Sequence, residues 1–342
     1  MSQSSGIRKE LPWCALLLAV SSHFALIYDW ANAPFLKLPE YADGHAKLPY
    51  QGRVLMAWVM HALAGKLTHI ATHAPSGRLR DPYVLVQTLC VFLALPVAIF
   101  ATRGSIEKLT GNAAFARWAA FLVALMAYFD LVLDYGLNYT LPYDVPSLAF
   151  FCLGIYLVMT RRWWAFYPVF VVATLNRETY IFMALFCAIW LWTEADDRPL
   201  AEKVRLLLPH LLAQSVLWIA IKWWIRQQFL GNATEGASGF FHLAVKTNVH
   251  SMLNPGQWPL FVSLFGFLWI PLLLGRRYIR NRGIARATAV IVPLWLLAMF
   301  LVGVVVEVRV FSELAALLAL VAALEAWHLW FEPLRDLRAE AA

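Results

Sequence analysis

The chain has 342 residues, 61% of them hydrophobic and only 14% charged, with a mean hydropathy of +0.62. That composition excludes a soluble fold built round one core under a polar surface, and it requires lipid as solvent. Helix-length apolar runs separated by loops of Pro, Gly and charge also exclude a β-barrel. They predict an all-α, polytopic transmembrane bundle forming a single domain over residues 1–342. The formal net charge of +7 is read as basic loops that hold the chain's orientation, with no nucleic-acid partner.

The first run, about 11–28, follows Arg8 and Lys9 and lacks a convincing small-residue cleavage pattern, so it is expected to stay as an uncleaved first helix. Basic clusters recur at Arg103/Lys108, Arg161/Arg162, Arg198/Lys203/Arg205, Arg276 to Arg286 and Arg335/Arg338. Placing all of them in the cytoplasm fixes the parity of crossings. Between Lys9 and Arg103 lie three apolar segments, 11–28, 53–70 and 82–102, yet the number of crossings must be even. The middle one carries Arg53, His61, Lys66 and His69. Its Met56, Val59, Met60, Leu63, Leu67 and Ile70 share one helical face, which predicts an interfacial helix inside a first external loop of about 29–81. An ordinary span with tolerated polar residues is the alternative.

Spans are expected next at 113–133 and 146–160. From Trp163 to Trp192 an apolar run is interrupted by Asn176-Arg177-Glu178-Thr179, and each half is roughly 20 Å long as a helix. Parity and the cost of three polar residues in mid-membrane predict a hairpin of two short helices with Asn176, Arg177 and Glu178 at its outer tip or buried at depth. Spans at 203–225, 258–275, 287–306 and 310–331 follow, with an external loop at about 226–257. In all, 9–10 membrane helices are expected, with both termini cytoplasmic in a bacterial inner membrane. The four cysteines, Cys14, Cys90, Cys152 and Cys187, lie in apolar runs, against a disulfide framework or a Cys-based metal site.

The polar residues that packing explains least fall on the external side. The first loop supplies Asp29, Glu40, Asp43 and Arg53. The next outer loop supplies Asp134, Tyr135, Asn138, Tyr143 and Asp144, the hairpin tip Asn176, Arg177 and Glu178, and the last span's entry Glu307, Arg309 and Glu313. Arginine forks bond phosphate in two places and keep their charge, so they suit a lipid phosphate or pyrophosphate. A carboxylate nearby could take the proton of an acceptor hydroxyl. Together they fit transfer of a group from a lipid phosphate at the membrane surface, with hydrolysis left open.

Plainer readings stand beside these. Asp144 before Val145-Pro146 suits a helix start. Arg177 with Glu178, and Arg309 with Glu313 four residues on, could be structural ion pairs. Asp29 could mark a helix end, and Asp130 either role. His61 and His69, like His242 and His250, are eight apart and do not form a helix-borne zinc pair. A divalent cation, magnesium or manganese, bridging carboxylate and phosphate remains open. The sequon Asn232-Ala233-Thr234 carries no weight.

A first span, an outer loop with acids and a surface-lying helix, then short or broken helices, together resemble the GT-C class of membrane glycosyltransferases over the N-terminal half. The resemblance implies a polyprenyl-phosphate sugar donor, and a glycan, lipid or protein acceptor. It also implies a catalytic base among Asp43, Glu40 and Asp29, with Arg53, Arg177 and Arg309 toward the donor phosphate. Pro142-Tyr143-Asp144-Val145-Pro146 and Leu175-Asn176-Arg177-Glu178-Thr179 also resemble segments of bacterial multi-span proteins to which no function is attached. The competing readings are a surface-polysaccharide polymerase or ligase, a transporter or flippase with Arg177, Glu178 and Asp144 at midplane, and a non-catalytic membrane subunit.

Overall fold

A computed structural model describes residues 3–75, 77–133, 138–234 and 243–333. The helices in chain order are α1 (Gln3–Ala31), α2 (Leu38–Ala42), α3 (Val54–Thr72), α4 (Pro82–Thr110), α5 (Ala113–Ala119), α6 (Leu122–Leu131), α7 (Asp144–Met159) and α8 (Trp163–Asn176). They continue as α9 (Phe182–Glu194), α10 (Leu200–Gln228), α11 (Val245–Leu253), α12 (Trp258–Ser263), α13 (Trp269–Gly275), α14 (Arg282–Val302) and α15 (Ala315–Ala326). Two short parallel strands, β1 (Ala33–Pro34) and β2 (Tyr139–Thr140), pair Ala33 with Tyr139 and Pro34 with Thr140. Among the described residues seven helices are long and apolar enough to cross a membrane, and the bent pair Pro255–Phe267 and Trp269–Tyr278 makes an eighth. The chain is therefore an all-α, polytopic helical bundle, as an integral membrane protein requires.

The expected 9–10 membrane helices include three short ones that this count leaves out. At 1.5 Å per residue α7, α8 and α9 are roughly 20–24 Å long, about two thirds to four fifths of a hydrocarbon core of ~30 Å. α8 and α9 form the expected hairpin. Arg161, just before α8, bonds Glu194 at the end of α9 (Nη2···Oε2 2.7 Å), so both helices return to one level. The straight span expected at 258–275 is broken instead by 62°. Phe265 and Gly266 there adopt left-handed backbone (φ 54° and 66°), and the carboxylate of Asp130 accepts the Phe265 N–H at 2.8 Å, fixing the kink. The expected outer loop at 226–257 contains α11.

Contacts sort the helix ends into two sets. At one end Asp196 draws in Lys203, Arg282 and Arg286, Glu10 takes Arg103 and Arg117, and Arg280 meets Glu332. The hydrogen bond from Arg286 holds the Asp196 carboxyl below its usual range. At the opposite end lie the starts of α3, α4 and α7, the hairpin tip, the end of α10 and the entry to α15. α15 runs down the middle, almost wholly buried, its Ala315, Ala316, Ala319 and Ala323 giving neighbours close approach.

By length and composition α3 could cross. Its apolar contacts with α4 gather at the start of that helix. The apolar cluster it shares with α4 takes only Tyr83, Val84, Val86 and Cys90 from that 29-residue helix. Six residues after α3 ends, Arg78 donates to the carbonyl oxygens of Asp29 and Asn32 at the end of α1. The buried stripe also differs from expectation. Met56, Ala57, Met60 and Ala64 face inward while Leu63 and Ile70 are exposed, because the small alanines allow α4 to come close.

Single cysteines at Lys47, His73 and Arg198, in a background without the native four, report this arrangement in sealed vesicles. An impermeant maleimide should label 47 and 73 from one side and 198 from the other. If 73 labels with 198 instead, α3 crosses.

Candidate functional site

Five segments deliver ionisable side chains to the second end. The first is the loop before α3. Buried Tyr41 donates to the Arg53 carbonyl, Gln51 donates to the Tyr41 carbonyl at 3.2 Å, and the Gln51 side chain accepts the Ala46 N–H at 2.9 Å. These bonds hold Arg53 against the face of Tyr143, 4.4 Å from guanidinium carbon to ring centre.

The second is the turn into α7. Tyr28 in α1 donates to the Leu141 carbonyl and accepts its N–H (3.0 and 3.1 Å), which fixes the turn that presents Tyr143 and Asp144. Asp144 occupies the first turn of α7, where the helix dipole favours an anion. Its oxygens are divided between two arginines: Oδ1 to Arg177 Nη1 at 3.1 Å and Oδ2 to Arg309 Nη1 at 3.4 Å.

The third is the hairpin tip. Asn176 closes α8 by donating to the Tyr143 carbonyl and Ser147 Oγ (3.0 and 2.8 Å). Arg177 then turns to extended backbone, φ −157° and ψ 138°, so it and Glu178 point apart. Arg177 reaches Asp144 and Glu313 (Nη1···Oε1 3.0 Å), while Glu178 takes Arg53 at 2.9 Å and Lys222 of α10, the fourth segment, at 3.8 Å. They are not each other's partners.

The fifth is the 3-10 turn Val308–Leu314 that enters α15. At three residues per turn, Arg309 and Glu313 do not share a face as they would in an α-helix. Arg309 bonds Asp144 and Glu307, and Glu313 takes Arg177 and Thr179 Oγ1, the latter at 2.9 Å.

The result is four cations (Arg53, Arg177, Arg309, Lys222) on four carboxylates (Asp144, Glu178, Glu307, Glu313). Burial divides them. Asp144, Arg177, Arg309 and Glu313 are at most 6% exposed in their side chains, whereas Glu178 and Lys222 keep 34% and 25%. Arg53 is nearly buried at 10%, and Glu307, on Arg309, keeps 24%, so the partly exposed members are Glu178, Lys222 and Glu307 round a buried frame.

Other sequence candidates lie apart. Asp29 is buried at the end of α1, taking hydrogen bonds from Gln87 and Thr88 of α4, which is a helix-anchoring role. Glu40 is exposed and pairs with Lys37 at 2.9 Å, raising the lysine's pKa. Asp43 is exposed and faces His61 at 3.2 Å. Asn138 is buried beside β2 and donates to the Asp130 carbonyl. Asp134 and Tyr135 lie outside the described residues. Lys222, Thr179 and Tyr41 are additions. A lysine inside the apolar run Ile219-Ala220-Ile221-Lys222-Trp223-Trp224 is itself a signal, since ionisable residues at membrane depth are rarely idle. Among the described residues no group of three or more His, Cys, Asp or Glu side chains is placed to hold a metal.

Compared with protein-family models, curated proteins and solved structures, the chain matches none. The site is thus interpreted on its geometry alone.

Asp144→Ala leaves Arg177 and Arg309 buried without their shared carboxylate and should destabilise the fold by about 3–5 kcal/mol. Glu40→Ala removes only an exposed pair and should leave the melting temperature nearly unchanged. Thermal unfolding in detergent checks the contrast; equal melting temperatures would show that the inner ion pairs do not hold the helix ends.

Proposed function

We propose that the chain is a membrane glycosyltransferase that takes a sugar from a polyprenyl-phosphate donor and passes it to a glycan, lipid or protein acceptor. The observation that carries this reading is the division of the charged cluster into a buried inner frame and a partly exposed Glu178–Lys222 rim, backed by buried Arg53, at one end of the bundle. Basic residues gather at the opposite end, and the positive-inside rule makes that end cytoplasmic, so the rim opens to the outer or periplasmic side of a bacterial inner membrane.

Arg53 and Lys222 supply the charge that a donor phosphate needs, and Arg53 can bond it in two places. When phosphate takes over these cations, Glu178 is released beside the reacting centre as general base. The acceptor oxygen then bonds the anomeric carbon and the bond from that carbon to the phosphate oxygen breaks. The hydroxyl proton goes to Glu178, and the electron pair stays on the departing lipid phosphate, where Arg53 and Lys222 neutralise it. Asp144, Arg177, Arg309 and Glu313 position this rim. Glu178 is preferred as base to Asp29, Glu40 and Asp43 because it alone of the four contacts both rim cations.

In lipid nanodiscs with radiolabelled polyprenyl-monophosphate hexoses, Glu178→Gln should lose about 100-fold or more in transfer, the usual scale for a general base. Arg161→Ala, at the other end, should transfer normally. Wild-type turnover in Glu178→Gln removes this assignment, and activity only with pyrophosphate-linked oligosaccharides points to a polymerase or ligase.

A further inference from the structure

Some helices of the bundle close on one another through small residues such as Gly104 and Gly154, but α3 is flanked unequally. One flank presents Met56, Ala57, Met60 and Ala64 and is buried. Toward α10 the start of α3 meets long side chains. Trp58 and Trp224 pack edge to face with ring centres 5.9 Å apart, and both stay more than 40% exposed. A methyl group on Gly52 would stand 4.0 Å from both Lys222 Nζ and Ile225 Cγ2, an ordinary contact. Directly behind this line is the Arg53–Glu178–Lys222 rim, two cations sharing one carboxylate. From Val204 through Leu208, Leu212, Val216 and Ile219 to Trp223, α10 carries an exposed apolar ridge at helical spacing leading to the same place.

We propose that the seam between the start of α3 and the end of α10 is a lateral entry for a long-chain lipid phosphate, whose chain lies on the α10 ridge and whose phosphate is taken by Arg53 and Lys222 behind the Trp58–Trp224 pair. Charge decides the occupant. A neutral lipid would pass a net positive rim without reward, whereas a phosphate on a chain gains both cations while its tail keeps apolar contact with α10. The two indoles meet edge to face and both are already partly exposed, which lets them separate. Glu178, displaced from its cations by the phosphate, is left facing the headgroup. The inference rests on the donor class proposed above, but it concerns where that lipid enters and what holds it.

The test uses the full chain in nanodiscs, with p-benzoylphenylalanine placed at position 58, 224 or, as a control at the other end, the 81% exposed position of Trp164. Tritiated undecaprenyl phosphate should cross-link at 58 and 224 about tenfold better than tritiated undecaprenol, roughly the worth of one charge-assisted contact. At 164 the two lipids should cross-link alike. Lys222→Gln should abolish the preference and Lys222→Arg should restore it. Millimolar inorganic phosphate should compete weakly, because it lacks the chain. Equal yields for both lipids at 58 and 224, a preference that survives Lys222→Gln, or complete competition by inorganic phosphate would each overturn the entry. Preference without sugar transfer leaves the entry standing and removes the transferase reading; transfer without preference does the reverse.

Discussion

One carboxylate with two arginines organises this bundle. Asp144 gives one oxygen to Arg177 and the other to Arg309, and all three side chains are almost fully buried. In surroundings of low dielectric, an unpaired charge costs far more than any single contact gains. The start of α7, the tip of the α8–α9 hairpin and the entry to α15 must therefore meet, although they lie far apart in the chain. Glu313 extends the same logic by holding Arg177 from the α15 side. Charge pairing thus sets where these helix ends meet.

Apolar packing fixes the rest by shape. Gly104 faces the ring of Tyr156 so closely that a Cβ would stand 2.6 Å from it, and Gly154 meets the Tyr180 hydroxyl at 2.3 Å from such a Cβ. These contacts pin α4 to α7 and α7 to the hairpin, burying large aromatics against backbone, which is how helices associate where lipid removes the hydrophobic drive. The α3–α10 seam uses the opposite device, two partly exposed tryptophans meeting at their edges. Close packing makes the first two contacts rigid. The third gives way at less cost.

Hydropathy and charge parity reveal much of this architecture from sequence alone. The apolar spans and the hairpin tip at Asn176-Arg177-Glu178 follow from them, because burial of polar backbone and placement of basic loops leave few options. Arg53, Asp144, Arg177, Glu178 and Arg309 stand out for the same reason, as charges too close to lipid to be incidental. What stays hidden depends on backbone geometry. A helical spacing pairs Arg309 with Glu313, but the 3-10 turn sends them to different partners. Nothing in Leu264-Phe265-Gly266-Phe267 announces a left-handed phenylalanine held by an aspartate 135 residues away. Asp29, Glu40 and Asp43 look equivalent to one another in the loop, yet one anchors α1 to α4 and the others form exposed local pairs. Lys222 is conspicuous in sequence only when helix interiors are searched as carefully as loops.

The balance of four cations against four acids limits what chemistry the cluster can support. A site whose charges are all matched binds an anion only by releasing one of its own, and the expense depends on burial. Freeing Asp144 or Glu313 would strand buried arginines, at several kcal/mol for each broken pair. Glu178 is different. It is partly open and shared between Arg53 and Lys222, so a phosphate that takes its place leaves neither cation without a partner. Exchange of Glu178 for a phosphate thus leaves the inner frame intact. It couples binding of the anion to liberation of a base at the same point. That coupling needs no moving domain, only a side chain free to turn and two cations that stay in place.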